Sequence, residues 1–177
     1  MKTSILLLSL LLLAGCLRPP EGVRPVESFD LGRYLGTWYE IARLDHRFER
    51  GLTHVSAHYS SRPDGGITVL NRGYNPRTGE WKEASGRAYP LGEPQLASLK
   101  VSFFRPFYGG YHVIELDRDN YAYALVCGPG LDYLWILART PTLDAAVTRQ
   151  LVAKAKALGF DTEGLIFVDQ QQAPDGR

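Results

Sequence analysis

Between residues 38 and 139 the chain repeats one pattern eight times: a short run of alternating apolar and polar residues, then a turn. The runs cover residues 38–44, 53–60, 67–74, 81–89, 96–104, 111–116, 121–127 and 133–139. Asp64-Gly65-Gly66, Asp117-Arg118-Asp119-Asn120 and Gly128-Pro129-Gly130 are among the turns that divide them. A period of two marks strands, because successive side chains leave the backbone on opposite faces. Eight such strands at regular spacing predict an all-β antiparallel meander, either two packed sheets or one closed barrel. The 10 Tyr and 18 Gly of the chain suit strands and turns better than helices.

One helix follows the strands. Thr142 after Pro141 is a suitable N-cap, Asp144 complements the helix dipole, and Val147, Leu151, Ala155 and Leu158 form one apolar stripe. Gly159 is placed to end it. Residues 165–168 read as a short final strand and 171–177 as a polar tail. A helix cannot enter a small barrel, so its stripe is expected to cover the outer wall.

The N-terminus carries an address. Lys2 is followed by an apolar run through Leu13, too short to span a hydrocarbon core of ~30 Å as a helix but suited to a secretory signal. The run ends in Leu13-Ala14-Gly15-Cys16, which resembles the lipobox of bacterial lipoproteins. That resemblance implies a signal peptide over residues 1–15, cleavage before Cys16, and acylation of the Cys16 thiol. The three prolines of residues 17–25 predict an extended linker over 16–27, reaching roughly 30 Å at ~3.1 Å per residue. Leu17, rather than Asp, follows the cysteine; in a Gram-negative envelope this implies sorting to the outer membrane.

Charge and motifs exclude several classes. The chain has 20 Lys+Arg against 19 Asp+Glu, and losing Lys2 with the signal leaves 19 against 19. No basic stripe of a nucleic-acid binder is present. With Cys16 acylated, Cys127 has no disulfide partner and reads as a small buried apolar residue. His54 and His58 are four apart, which on a strand separates them by about 13 Å, so no metal site is expected. No phosphate loop and no nucleophile–base set is legible, so no cofactor and no catalytic residue is assigned.

Three stretches name a family. Gly36-Thr37-Trp38 near the start, Leu116-Asp117-Arg118-Asp119-Asn120-Tyr121, and Tyr133-Leu134-Trp135-Ile136-Leu137-Ala138-Arg139 resemble, in order, the three conserved regions of the lipocalins. The segment from Val101 to Tyr111 narrows the resemblance to bacterial outer-membrane lipocalins related to apolipoprotein D. It spans residues 28–170, the expected domain, and implies an eight-stranded up-and-down barrel with the helix packed outside. It also implies that Trp38 closes the barrel floor with the Arg139 guanidinium stacked on it, as a structural plug. By the same resemblance Tyr59, Asn71, Phe103 and Trp135 match ligand-contacting positions.

Alternation agrees with that set. If Trp38 and Arg139 face inward, so do Glu40, Ala42, Tyr133, Trp135 and Leu137. Val55, Ala57 and Tyr59, then Ile67, Val69 and Asn71, then Leu99, Val101 and Phe103 form the other inner faces. The resemblance implies a membrane-anchored binder of single-chain lipids, fatty acids or lysophospholipids, serving storage or transport in envelope maintenance. A lipid-modifying enzyme using Glu40 or Glu115, and an envelope scaffold with a vestigial cavity, are the alternatives. Pairing into a homodimer stays open, because oligomeric state has no signature in this sequence.

Overall fold

A computed structural model describes residues 17–171. A single-turn helix α1 (Leu31–Tyr34) precedes eight strands: β1 (Gly36–Arg43), β2 (Thr53–Ser61), β3 (Ile67–Asn75), β4 (Glu80–Pro90), β5 (Ser98–Phe104), β6 (Phe107–Leu116), β7 (Tyr123–Cys127) and β8 (Leu134–Ala138). Helix α2 (Ala145–Ala157), a 3-10 turn (Thr162–Gly164) and a short strand β9 (Ile166–Phe167) complete the chain. From β1 to β8 each strand pairs antiparallel with its neighbour in sequence, and β1 pairs with both β8 and β2. The sheet is therefore closed into a barrel, which removes the exposed edges of an open meander.

β1 closes the barrel in two stages. Its first half pairs with β2, from Gly36↔Tyr59 to Tyr39↔Ser56. Further along, β9 takes the place of β2, pairing Phe167 with Ala42 and Ile166 with Arg43. The Gln170 side chain bridges the gap where β1 and β2 part, donating to the carbonyls of Glu40 (2.9 Å) and Val55 (2.8 Å). The short C-terminal strand thus satisfies backbone groups that the diverging strands would leave unpaired.

Two cores result. The inner one fills the barrel floor with Phe29, Tyr34, Trp38, Tyr59, Ile67, Leu99, Val113 and Leu137. The outer one lies between the β6–β7–β8–β1 wall and α2, and includes Ile114, Leu125, Cys127, Leu134, Ile136, Leu151 and Ala155. The helix stripe thus covers the outer wall. Its N-cap is Asp144, not Thr142, and accepts from the amides of Ala146 (2.7 Å) and Val147 (3.2 Å); the Thr142 carbonyl accepts from the Thr140 hydroxyl in the preceding turn.

Two expectations are corrected. Ala42 faces outward, because the β1–β8 register shifts between Glu40 and Ala42. The extra residue of that bulge, Ile41, reverses the alternation beyond it and turns Arg43 inward in the place of Ala42. The segment before the barrel is also no free tether. Val23 is 5% exposed and packs in the outer core. Val26 donates to Val113 O (2.8 Å) and accepts from Ala97 N (2.9 Å). The apolar residues of a proline-rich stretch found a barrel wall to cover, so packing overrides the extended reading.

Candidate ligand site

The closed end is built around Trp38, fully buried, whose indole donates to Tyr34 O at 2.8 Å. The Arg139 guanidinium carbon lies 4.0 Å from the centre of the Trp38 ring. The same guanidinium donates to Tyr121 O (3.2 Å), Thr37 O (3.0 Å) and Arg33 O (2.7 Å). It thereby ties β1, α1 and the turn before β7 together. Gly36 permits this approach: its φ is +97°, and a Cβ there would stand 3.3 Å from Arg139 Nη1.

Above the floor three phenols form a chain. Tyr34 and Tyr111 share a hydrogen bond of 2.7 Å, and Tyr111 and Tyr59 one of 3.1 Å. Burial raises the pKa of all three, that of Tyr59 to about 12, so they stay neutral. They give the barrel a polar seam that costs little because each hydroxyl has a partner.

The middle of the barrel has room. Gly109 pairs with inward Val101 and stands two residues from inward Tyr111, and a Cβ built on it would meet no atom within 4 Å. Outward Gly110 differs, since its Cβ would come within 3.0 Å of Leu17 O. On the β3 wall Asn71, paired with inward Ala57, buries its Oδ1 without a hydrogen-bond partner. Buried amide oxygens without partners are uncommon and costly, so this one is left able to accept a hydrogen bond inside the barrel.

Toward the open end the interior turns ionic. Arg43 is 1% exposed; its Nη1 donates to Glu40 Oε1 at 2.6 Å and its Nη2 to Glu49 O at 2.8 Å. Glu49 comes from the loop between β1 and β2. Its Oε2 accepts from Trp135 Nε1 (3.1 Å) and lies 3.0 Å from His46 Nε2. The His46 ring meets Trp135 edge-on at 5.2 Å. Burial, reinforced by the Glu49 charge, pushes the Glu40 carboxyl well above the carboxylate range. Burial also acts to raise Glu49, but hydrogen bonds from His46, Trp135 and Glu40 outweigh it and lower its pKa. Of the two carboxyls Glu40 is thus the harder to ionise and the one that meets the Arg43 guanidinium, while Glu49 offers Arg43 its backbone carbonyl.

Of the four residues matched to ligand contacts, the structure brings Tyr59, Asn71 and Trp135 to the inner wall. Phe103 stands at the rim of the same wall: it is 36% exposed and outside the buried inner cluster, but its ring lies over Gly86, which pairs with inward Val69. The β5–β6 register shifts between Val101 and Phe104, whereas the β4–β5 register runs unshifted through Arg87↔Ser102, so Phe103 keeps the parity of Val101 at the edge of the barrel mouth. Glu115 faces outward into an ion pair with Lys154 of α2, because the β6 register also shifts between Val113 and Glu115. Cys127 lies in the outer core, where burial pushes its thiol up to about 12. Neither supplies an inward reactive group. Among the described residues no cluster fit to hold a metal ion occurs; His58 instead bonds to Thr37, and His54 to Thr53 and Gln171 O. Cys16, residues 1–15 and 172–177 of the tail lie outside the described residues.

Sequence reading missed Arg43, His46, Glu49 and Tyr111. Arg43 was hidden by the bulge, and His46 and Glu49 sit in a loop without periodicity. Tyr111 alone had a signal, its alternation with Val113.

The comparisons agree with this geometry. Residues 29–170 match the family model described as a lipocalin-like domain. The outer membrane lipoprotein Blc of Vibrio cholerae is 56% identical over 171 residues, covering 97% of this chain and 100% of that protein. Blc of Escherichia coli is 60% identical over 152 residues, 86% of this chain and 85% of that one. Mouse apolipoprotein D is 33% identical over 92% of this chain and 86% of its own. Among solved structures, insecticyanin of the tobacco hornworm superposes with a TM-score of 0.69 at 21% identity, covering 86% of each chain. With a closed barrel, its Trp–Arg floor and a match over nearly the whole domain, this chain belongs to the lipocalin family.

Proposed function

We propose that this protein is a lipid-anchored lipocalin of the outer membrane that carries single-chain lipids, fatty acids or lysophospholipids, in its barrel. The observation that carries the reading is the combination inside the barrel of open space at Gly109 with the unpartnered Oδ1 of Asn71. An acyl chain beside Val69, Val101 and Trp135 contributes ~0.8 kcal/mol per buried CH₂ before ordering costs. Few polar groups then fix its orientation: Asn71, the Tyr59 hydroxyl, and toward the open end Arg43 and Glu49. Phe103 serves at the rim of this path.

The names of the relatives support the envelope part, and Cys16 is the residue that would be acylated. Two or more acyl chains on one cysteine hold stably where one does not. The reading includes no reaction: Glu40, the one inward candidate of the two carboxylates considered, is occupied by Arg43 and Glu49. The test is titration of the lipid-free mature domain with fatty acids and lysophospholipids of rising chain length, following Trp fluorescence. Affinity should rise with chain length and depend weakly on salt. Binding indifferent to chain length would refute the reading, and turnover of an added lipid would favour the enzyme.

A further inference from the structure

Five of the eight large apolar side chains left exposed among the described residues stand at the open end of the barrel. They are Phe48 (59% exposed), Phe103 (36%), Phe104 (72%), Phe107 (73%) and Leu131 (44%). The meander puts them there. β1 rises from the floor, so the connections at 44–52, 76–79, 105–106 and 128–133 all lie at the open end. Three of these four connections, or the strand ends beside them, carry the apolar residues, and only Pro76-Arg77-Thr78-Gly79 is polar. The three join β5 to β6, β7 to β8 and β1 to β2, and are successive around the rim. Scattered apolar residues on a surface need no explanation, but a contiguous arc marks a contact. Arginines are interleaved: Arg47 lies 5.0 Å from the Phe48 ring, and Arg105 is exposed between Phe104 and Phe107. Aromatic rings beside guanidinium groups suit the boundary between acyl chains and phosphates.

The N-terminal segment identifies the occupant independently. Val26 is bonded to Val113 O near the floor, whereas Leu17 O lies against Gly110. Along β6 that is three residues, roughly 10 Å toward the open end, and Phe107 is three residues further. The packed segment thus rises to mid-height on the barrel wall, with residues 17–19 beside Leu91, Leu96 and His112, and Cys16 is one peptide link beyond Leu17. The direction of that rise, from the level of Val113 to that of Gly110, points the anchor toward the Phe104–Phe107 side of the rim.

We infer that this apolar arc is a membrane-docking surface, which seats the open end of the barrel on the anionic phospholipid leaflet that holds the anchor. A lipid then passes between bilayer and barrel without crossing water. The inference rests on the proposed carrier function for its purpose and on Cys16 for its geometry, but the contact can be measured without either.

The mature chain carrying Cys16→Ser, which cannot be acylated, is floated through a density gradient with vesicles of phosphatidylethanolamine containing a minority of phosphatidylglycerol. Docking predicts co-flotation, and a blue shift on vesicle addition for an indole introduced by Phe104→Trp. Phe104→Ser and Phe107→Ser should each weaken partitioning roughly tenfold, the ratio expected for partial burial of one ring. Leu70→Ser, exposed on the outer wall away from the rim, should leave it unchanged. Absence of flotation with fatty-acid binding intact overturns the docking surface and leaves the carrier reading standing. Flotation without fatty-acid binding supports docking and sinks the carrier alone. Self-association abolished by Phe107→Ser, without flotation, would give the arc to a second copy of the chain and overturn the inference.

Discussion

Removing the Arg139 side chain separates stability from binding. Its guanidinium stacks 4.0 Å from the Trp38 ring and donates to three backbone carbonyls at 2.7 to 3.2 Å. The stack contributes about 0.5–2 kcal/mol. The bonds to Tyr121 O and Thr37 O are part-buried and add about 1 kcal/mol each, while the exposed one to Arg33 O is discounted because water can replace it. Arg139→Ala should therefore cost about 2–4 kcal/mol. With a urea slope of about 2 kcal/mol/M, the unfolding midpoint falls by roughly 1–2 M. Trp38→Ala, from a fully buried site, should cost about 3–5 kcal/mol. Because the two groups touch, the double variant should lose less than the sum, by about 0.5–1.5 kcal/mol. Equilibrium unfolding followed by circular dichroism measures all three variants. Folded Arg139→Ala should keep its lipid affinity. A midpoint equal to that of the parent, or strict additivity with Trp38→Ala, would refute the floor as described.

Other parts of the account can be tested as directly. Trp135→Ala and Asn71→Leu should each weaken fatty-acid binding about tenfold, whereas His58→Ala, exposed on the outer face, should not change the titration. His112 is buried with its pKa depressed by desolvation to about 4. Between about pH 6.5 and 4 the unfolded chain takes up a proton that the folded one refuses, so stability falls with falling pH across that window. The loss is at most about 3 kcal/mol, and His112→Gln should flatten this part of the pH profile of the unfolding midpoint. The Cys127 thiol, pushed up to about 12 by burial, should resist alkylation at neutral pH until the protein is unfolded in denaturant; rapid labelling of the native state would contradict its place in the outer core.

The strands were legible because each has one face on a packed core, so that period-two alternation is enforced wherever pairing stays regular. The inward Trp38, Tyr59, Val69, Leu99 and Trp135 all follow it. It fails at bulges, where one extra residue exchanges faces. Ile41 thereby sends Ala42 out and Arg43 in, and the shift at Val113 sends Glu115 to α2. Such bulges leave no local mark in composition. The helix boundary was misplaced by two residues because Thr142 and Asp144 are both competent caps, and tertiary position chose Asp144. The segment before the barrel misled for a different reason: its prolines signal a stretch without regular secondary structure, but that does not decide whether it turns, as it does from Pro20 to Val23, or whether Val23 and Val26 find a wall to pack on. The ionic group of Glu40, Arg43, His46 and Glu49 is assembled by a loop folding back over the barrel, a contact that no periodicity encodes.

The central claim, that the barrel interior receives a lipid chain, is tested most directly at Gly109. Nothing lies within 4 Å of a Cβ at that position, so Gly109→Leu should fold with an unfolding midpoint near that of the parent while its side chain fills the path of the acyl chain. The mature protein and this variant would be purified from envelopes without added lipid, extracted, and the extracts compared by mass spectrometry. The account predicts a stoichiometric single-chain lipid with the parent and its loss with Gly109→Leu. An empty parent, or the same lipid recovered in full from the variant, would contradict it.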